Sequence, residues 1–200
     1  MAKRAQEAEQ RARRAETLVR LETLKQLSAR GKIKAVKEWI TTFLESEEKL
    51  LVFAHHQEIV DEIARQWQVP GITGRTPKRK RQAIVDQFQN DPERRLLPLN
   101  IRAGGLGLTL TAASHVAFIE LDWTPAAHNQ AEDRCHRISQ RDHVTAWYLL
   151  APDTIDDDIY AVLNHKREVV SALTDGQDKA NKMSMLSEVT QRLTTKAGKK

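Results

Sequence analysis

The sequence predicts an α/β protein, a parallel β-sheet flanked by helices with a helical extension at its N-terminus. Three observations carry this. Short apolar runs at residues 50–53, 69–72, 96–101, 115–121 and 144–150 have the length and composition of strands, the first of them suited to burial on both faces. Between them lie segments in which apolar residues recur at helical spacing. Strands alternating with helices in this way build a parallel sheet, and the working residues of such a sheet gather on loops beyond the strands' carboxyl ends.

Residues 3–30 read as one charged helix rich in Ala, Glu, Arg and Leu. Glu7–Arg11, Glu9–Arg13 and Glu16–Arg20 place Glu four residues before Arg, the favourable order for surface pairs, and Leu18, Leu21, Leu24 and Leu27 add an apolar stripe. Such a helix either docks its far end on the domain or serves as a DNA-contacting basic arm. Gly31 is expected to end it, with Ile33, Val36, Ile40, Phe43 and Leu44 forming the inner face of a second helix. After the first strand, Ile59, Ile63 and Trp67 mark a helix over residues 56–67. Gly74 closes the second strand, and Pro77 opens a helix running to residue 88. Pro98 sits inside the third run, where a proline removes a ladder donor. Pro125 opens a further helix. Thr154, with Asp157 three residues on, caps the last one, whose inner face is Ile159, Val162, Leu163 and Val169. The expected domain plan is a charged helix over 1–30, an α/β lobe over 31–174 and a flexible basic tail over 175–200.

The 200 residues are 40% apolar and 30% charged, enough for one core and much solvated surface. A net charge of +5 mildly favours an anionic partner. The single cysteine, Cys135, excludes an internal disulfide framework and suits a reducing compartment, which points to an intracellular protein. No run of about 18 apolar residues is present to span a membrane, and the N-terminal Met1-Ala2-Lys3-Arg4 leads into alternating charges rather than a signal-peptide core. His128, Asp133, Cys135 and His136 lie close in sequence, but their spacing does not present a tetrahedral metal set on one helix face.

Two features carry chemistry. The glycine turn Ala103-Gly104-Gly105-Leu106-Gly107 follows an apolar strand; its spacing fails the dinucleotide-binding pattern, and glycines at a strand end also serve tight packing alone. Arg134 and Arg137, three apart, are expected on neighbouring positions of one helical face, where two always-charged planar forks can converge on a phosphate. Gln130 lies on the same side, and Glu132 and Asp133 are expected to orient the guanidinium planes. The chain contains no G-x-x-x-x-G-K-[ST] loop to hold the phosphate itself.

Ala103 to Leu110, and the run Gln130-Ala131-Glu132-Asp133-Arg134-Cys135-His136-Arg137-Ile138-Ser139-Gln140, resemble the fifth and sixth motifs of Swi/Snf-type superfamily-two helicases. Asp122-Trp123-Thr124-Pro125 is similar to that family's Trp-Asn-Pro element, and Leu51-Val52-Phe53-Ala54-His55 to its fourth motif. Gly74 with Arg81 to Phe88, and Thr154-Ile155-Asp156 through Lys166, match two further segments. The resemblance covers residues 30–172 and is closest to the fork-remodelling, annealing-helicase branch. Asn100-Ile101 and Ser139 depart from the family's usual residues.

The resemblance implies a RecA-like second lobe, with ATP and Mg2+ held mainly by a first lobe in cis or in trans, and a track of double-stranded or forked DNA. It assigns Arg134 and Arg137 as arginine fingers and Gln130 as organiser of the γ-phosphate or water. Gly104, Gly105, Gly107 and Asp133 would lie at the ATP interface. DNA-backbone contacts would come from His55, His56, Gly74, Arg75, Asn100 and Arg102. Lys78, Arg79 and Lys80 read as a solvated helix start, and Trp123 fits core packing as well as a DNA role. The alternative is a stand-alone DNA-binding or regulatory module that keeps the fold without hydrolysis.

Overall fold

The computed structural model describes residues 2–102, 108–135, 144–172 and 178–197. Within them β1 (Leu50–Ala54), β2 (Leu96–Asn100), β3 (His115–Phe118) and β4 (Thr145–Tyr148) form one parallel sheet in the order β2-β1-β3-β4. β1 is central and every residue of it is buried. Its register sets Phe53 beside Leu99 on one side and Phe118 on the other.

Alternate residues of the central strands feed two cores. Leu50, Val52 and Ala54 pack with α1 (Ala2–Leu44) and α2 (Gln57–Gln66) through Val36, Ile40, Ile59, Val60 and Ile63. Leu51, Phe53, Val116 and Phe118 face the other way, toward α3 (Lys78–Asn90), α5 (Ile155–Ala172) and α6 (Asp178–Ala197). Between β3 and β4 lies α4 (Pro125–Glu132). Both faces of the sheet are therefore covered, as near-continuous apolar strands require.

The expected strand at 69–72 is reduced to a single bridge, Ile72 with Leu99. The Ile72 N–H donates to the Pro98 carbonyl at 3.0 Å and the Asn100 N–H donates to the Ile72 carbonyl at 2.8 Å. The next bonds of such a ladder would need N–H groups from Pro98 and Pro70, and neither proline has one. Pro98 thus turns its missing donor toward the outer edge, and its pairing with β1 is unaffected.

The break expected at Gly31 is replaced by one 43-residue helix, roughly 65 Å long. Buried Ala29, Lys32 and Val36 anchor it on both sides of the glycine, and that packing overrides helix propensity. Lys32 Nζ reaches Asp156 Oδ2 at 2.5 Å and the Leu149 carbonyl at 2.7 Å, a buried ion pair fastening α1 to the start of α5. The expected surface pairs Glu9–Arg13 and Glu16–Arg20 form at 2.7 and 2.6 Å; the Glu7 side chain lies outside the described residues. Within the tail expected to be flexible, residues 178–197 instead form α6, which buries Met185 and Val189 in the core. Those residues, four apart, place one apolar stripe against the domain.

Thr154 caps α5 as expected, its hydroxyl accepting from the Asp156 N–H at 3.2 Å. The Asp157 carboxylate accepts from the Asp153 N–H rather than closing a capping box on Thr154. The side chain of Val169 lies outside the described residues.

An added Cβ at exposed Gly31 would meet nothing within 4 Å. Gly31→Ala is therefore expected to stabilise the protein by roughly 0.5–1 kcal/mol, read as a rise in the urea midpoint.

Candidate nucleotide and nucleic-acid interface

The carboxyl ends of β1 and β3 are tied together by one carboxylate. Glu120, 2% exposed, accepts from the backbone N–H groups of His55 and His56 at 2.9 and 2.8 Å and from His56 Nδ1 at 2.5 Å. Burial pushes its carboxyl up, but these bonds and the charges of His56 and Lys25 outweigh that and hold it below the ordinary carboxylate range. Asp122 behaves likewise. Its burial is outweighed by the facing His55 imidazole and by Lys25 and Arg102, so its carboxyl sits well below the usual range. Its Oδ1 accepts from the Thr124 N–H at 3.2 Å, and His55 Nδ1 and Arg102 Nε lie 3.5 and 3.4 Å from its Oδ2.

α1 lies over this corner. Fully buried Trp123 donates its indole N–H to Glu22 Oε1 at 2.7 Å. Glu22 Oε2 faces His55 Nε2 at 3.4 Å, His56 Nε2 at 3.9 Å and Lys25 Nζ at 4.0 Å. Lys25 is 2% exposed, with its ammonium 4.6 Å from the centroid of the Trp123 ring. Burial pulls its pKa down, against the opposing pull of Glu22, Glu120 and Asp122.

The other residues assigned to DNA sit at the same end of the sheet. Asn100 donates from Nδ2 to the His55 carbonyl at 2.5 Å, and its Oδ1 accepts from the Arg102 N–H at 3.0 Å. Arg102 is 55% exposed. Gly74 and Arg75 occupy a turn braced by Arg81, whose guanidinium donates to the carbonyls of Gly74 and Thr76 at 3.1 and 2.5 Å. The Arg75 side chain is exposed.

Thr124 caps α4, accepting from the Ala127 N–H at 3.4 Å, with Pro125 in the first turn. Gln130 is exposed on this helix. The uninterrupted helix expected through residue 137 is not what forms: α4 ends at Glu132, and Arg134 lies in the following turn. Its N–H donates to the Ala131 carbonyl at 3.3 Å, one residue short of helical spacing. The Arg134 carbonyl accepts from the Leu110 N–H at 3.1 Å, which pins the turn beside the segment leaving the glycine stretch. Arg137, Gly104, Gly105 and Gly107 lie outside the described residues.

The carboxylates expected to orient Arg134 do otherwise. Glu132 accepts from the Tyr148 hydroxyl at 2.9 Å and pairs with Arg167 at 3.2 Å, while Asp133 is exposed. Among the described residues Arg134 has no carboxylate partner, and its buried Nε has no hydrogen-bond acceptor. Cys135 is fully buried, with its thiol pushed up to about 12 by burial and then by Glu132, so it is inert as a nucleophile. No group of metal-ligating side chains occurs among the described residues, and no helix there is long and apolar enough to cross a membrane.

Glu22, Lys25 and Glu120 were not among the residues the sequence singled out, and Asp122 entered only as part of a motif with no role of its own. No local signal marks them, because their meaning arises only when sheet register brings residue 55 beside residue 120.

A parallel sheet covered on both faces, with charged side chains at the strands' carboxyl ends, is an α/β nucleotide-binding frame, and the solved structures it matches make it a RecA-like lobe. Residues 31–139 match the helicase conserved C-terminal domain, and the chain belongs to that family. Among curated relatives, the DNA annealing helicase and endonuclease ZRANB3 of Mus musculus is 42% identical over 156 residues, covering 75% of this chain and 15% of its own length. The Caenorhabditis elegans homolog of SWI/SNF-related matrix-associated actin-dependent regulator of chromatin subfamily A-like protein 1 is 41% identical over 135 residues, or 65% of this chain and 20% of its own. The chain thus spans about a seventh of the ZRANB3 relative. The Sulfolobus solfataricus SWI2/SNF2 ATPase core domain superposes with a TM-score of 0.66 at 25% identity, covering 83% of this chain and 38% of that one. The C-terminal part of the Fun30 ATPase domain gives 0.61 at 26%, covering 81% and 54%. The lobe is of the Swi/Snf type, near the annealing helicases.

His128, on α4, accepts the Asp122 N–H at Nε2 (3.0 Å) and packs on Phe118. Burial and then the Arg167 charge lower its pKa from 6.5 to about 4. The unfolded chain takes up this proton at higher pH than the folded one, so stability is full above pH 6.5 and falls as pH drops toward 4. The expected slope is up to ~1.4 kcal/mol per pH unit. His128→Gln, which keeps an acceptor for Asp122, is expected to remove it, as urea midpoints across this pH interval would report.

Proposed function

We propose that this chain is the second lobe of an ATP-dependent Swi/Snf-like DNA translocase or annealing helicase, and that it completes an ATP site whose phosphate loop and Mg2+ belong to a first RecA-like lobe. Arg134 carries the reading. A guanidinium that cannot lose its charge belongs to a residue whose carbonyl is bonded by the Leu110 N–H, while the neighbouring acid Glu132 is engaged by Arg167 and Tyr148. Such a group is suited to meet charge developing on a transferred phosphoryl group across a lobe interface. Arg137 is the second finger, Gln130 organises the γ-phosphate or the attacking water, and exposed Asp133 faces the ATP interface. Gly104, Gly105 and Gly107 let the backbone approach the interface.

The DNA track runs along the sheet's carboxyl end. Exposed Arg75 and Arg102 supply charge to phosphates, and Gly74, Asn100, His55 and His56 shape the surface between them. Contacts to the backbone rather than to base edges suit stepping that ignores sequence. The protein acts inside the cell, where the DNA is.

Without a first lobe the purified chain is expected to show no DNA-stimulated ATP hydrolysis. Mixing with the first lobe of a Swi/Snf-type ATPase restores it, and Arg134→Ala or Arg137→Ala then lowers the rate by about 10³–10⁵. Substantial hydrolysis by the chain alone would overturn the proposal. An unchanged reconstituted rate in both variants would instead favour a DNA-binding or regulatory module.

A further inference from the structure

Lys25 has an unusual environment. Its side chain is 2% exposed, and its ammonium has no hydrogen-bond partner among the described residues. A desolvated ammonium without a bond is costly, and an anion in reach relieves that cost. The nearest one is Glu22 Oε2, 4.0 Å away and itself buried without a hydrogen bond. Around that oxygen converge His55 Nε2 and His56 Nε2, and the indole N–H of Trp123 reaches the other oxygen. The Glu22 side chain is 33% exposed although its Oε2 is shut off from solvent, so its outer part borders solvent while the oxygen closes the niche. The remaining acids are occupied: Glu120 by His56 and two backbone N–H groups, and Asp122 by Arg102, His55 and Thr124.

We propose that Lys25, Trp123, His55 and His56 line a niche for one phosphodiester of nucleic acid, and that the Glu22 carboxylate is a built-in plug which turns out to solvent when the phosphate enters. A phosphodiester carries the same single negative charge as the carboxylate it replaces, so the exchange leaves the balance with Lys25 and Arg102 unchanged. Its two charged non-bridging oxygens, set in a tetrahedral rather than planar group, can take the Lys25 ammonium and the Trp123 N–H one each. The niche lies beside Asn100 and Arg102 at the end of the sheet assigned to the DNA track. The inference rests on that assignment and adds an internal competitor to it.

The test is duplex-DNA binding by the full chain, followed by fluorescence anisotropy across a salt series. Glu22→Gln keeps an acceptor for Trp123 while removing the charge, and thermal melting checks that it folds; Glu22→Ala serves as a second variant. Glu22→Gln is expected to bind about tenfold tighter at low salt, with a log–log salt slope steeper by about one. Lys25→Met in the Glu22→Gln background should abolish the gain, and an apolar replacement of that size is tolerated at a buried charge. Glu16→Gln, an exposed site on the same helix, should stay near wild type. An equal gain in Glu16→Gln, or a gain surviving Lys25→Met, would reduce the effect to general repulsion and overturn the niche. Displacement of DNA from Glu22→Gln by inorganic phosphate at matched ionic strength would assign the niche to free phosphate and overturn the backbone assignment. Unchanged DNA affinity in Glu22→Gln, alongside Arg134-dependent ATPase on reconstitution, would sink the plug and leave the motor reading intact.

Discussion

Glu120 sits at the carboxyl end of β3 and accepts three N–H groups from the turn after β1. Without it the backbone N–H groups of His55 and His56, the two residues before α2, would lose their acceptor, and His56, the cap residue, makes no side-chain cap of its own. The His56 imidazole is turned away from that role because its Nδ1 serves Glu120 as well. One carboxylate thereby sets the direction of α2, the orientation of His56 and the spacing between the two central strands. Losing the carboxylate would leave several buried donors unpaired at once, each at a cost of about 1–3 kcal/mol. Asp122 extends the arrangement, joining the His55 side of the turn to Arg102 and to the cap of α4.

The central strands could be read from the sequence because Leu50-Leu51-Val52-Phe53-Ala54 has no other sensible fate than burial on both faces. The edge was less legible. Val69 and Ile72 are as apolar as the central strands, yet two prolines remove the donors that would have extended their pairing, an effect visible only once Ile72 is known to face Leu99. Gly31 and α6 failed for a related reason. Propensity and polarity are local quantities, whereas Lys32–Asp156 and the burial of Met185 and Val189 are decided by distant partners.

Legibility of the site divides along the same line. Arg134, Gln130 and Asp133 carry a motif spacing and so announce themselves. Glu22 and Lys25 sit in a helix otherwise full of Glu, Lys and Arg, where charge is ordinarily solvated. Nothing in that segment separates Glu16, which is exposed and paired with Arg20, from Glu22, which sits against Trp123. The separation comes from the length of α1. One helix anchored by Val36 and Ile40 on one face of the sheet continues past the sheet's carboxyl end, and the turns that overhang it must use different chemistry from those beyond.

This geometry bears on how a single lobe can be poised for two anions. Arg134 and Lys25 are both cations with an incomplete set of partners among the described residues, but the incompleteness differs in kind. Arg134 is half-buried, follows α4 in a turn and has had its neighbouring acid drawn off by Arg167. Lys25 is enclosed and has a carboxylate close by that does not bond it. Under the proposed function, a guanidinium with no carboxylate partner among the described residues suits a charge arriving from another lobe. An enclosed ammonium beside a rotatable carboxylate fits a charge that must displace something to arrive. Arg134 follows α4 and Lys25 lies against Trp123, and Asp122 touches both regions: its N–H reaches His128 on α4 while its carboxylate reaches Arg102 and His55. Under the proposed function, Asp122 therefore joins the helix that precedes Arg134 to the residues of the nucleic-acid track.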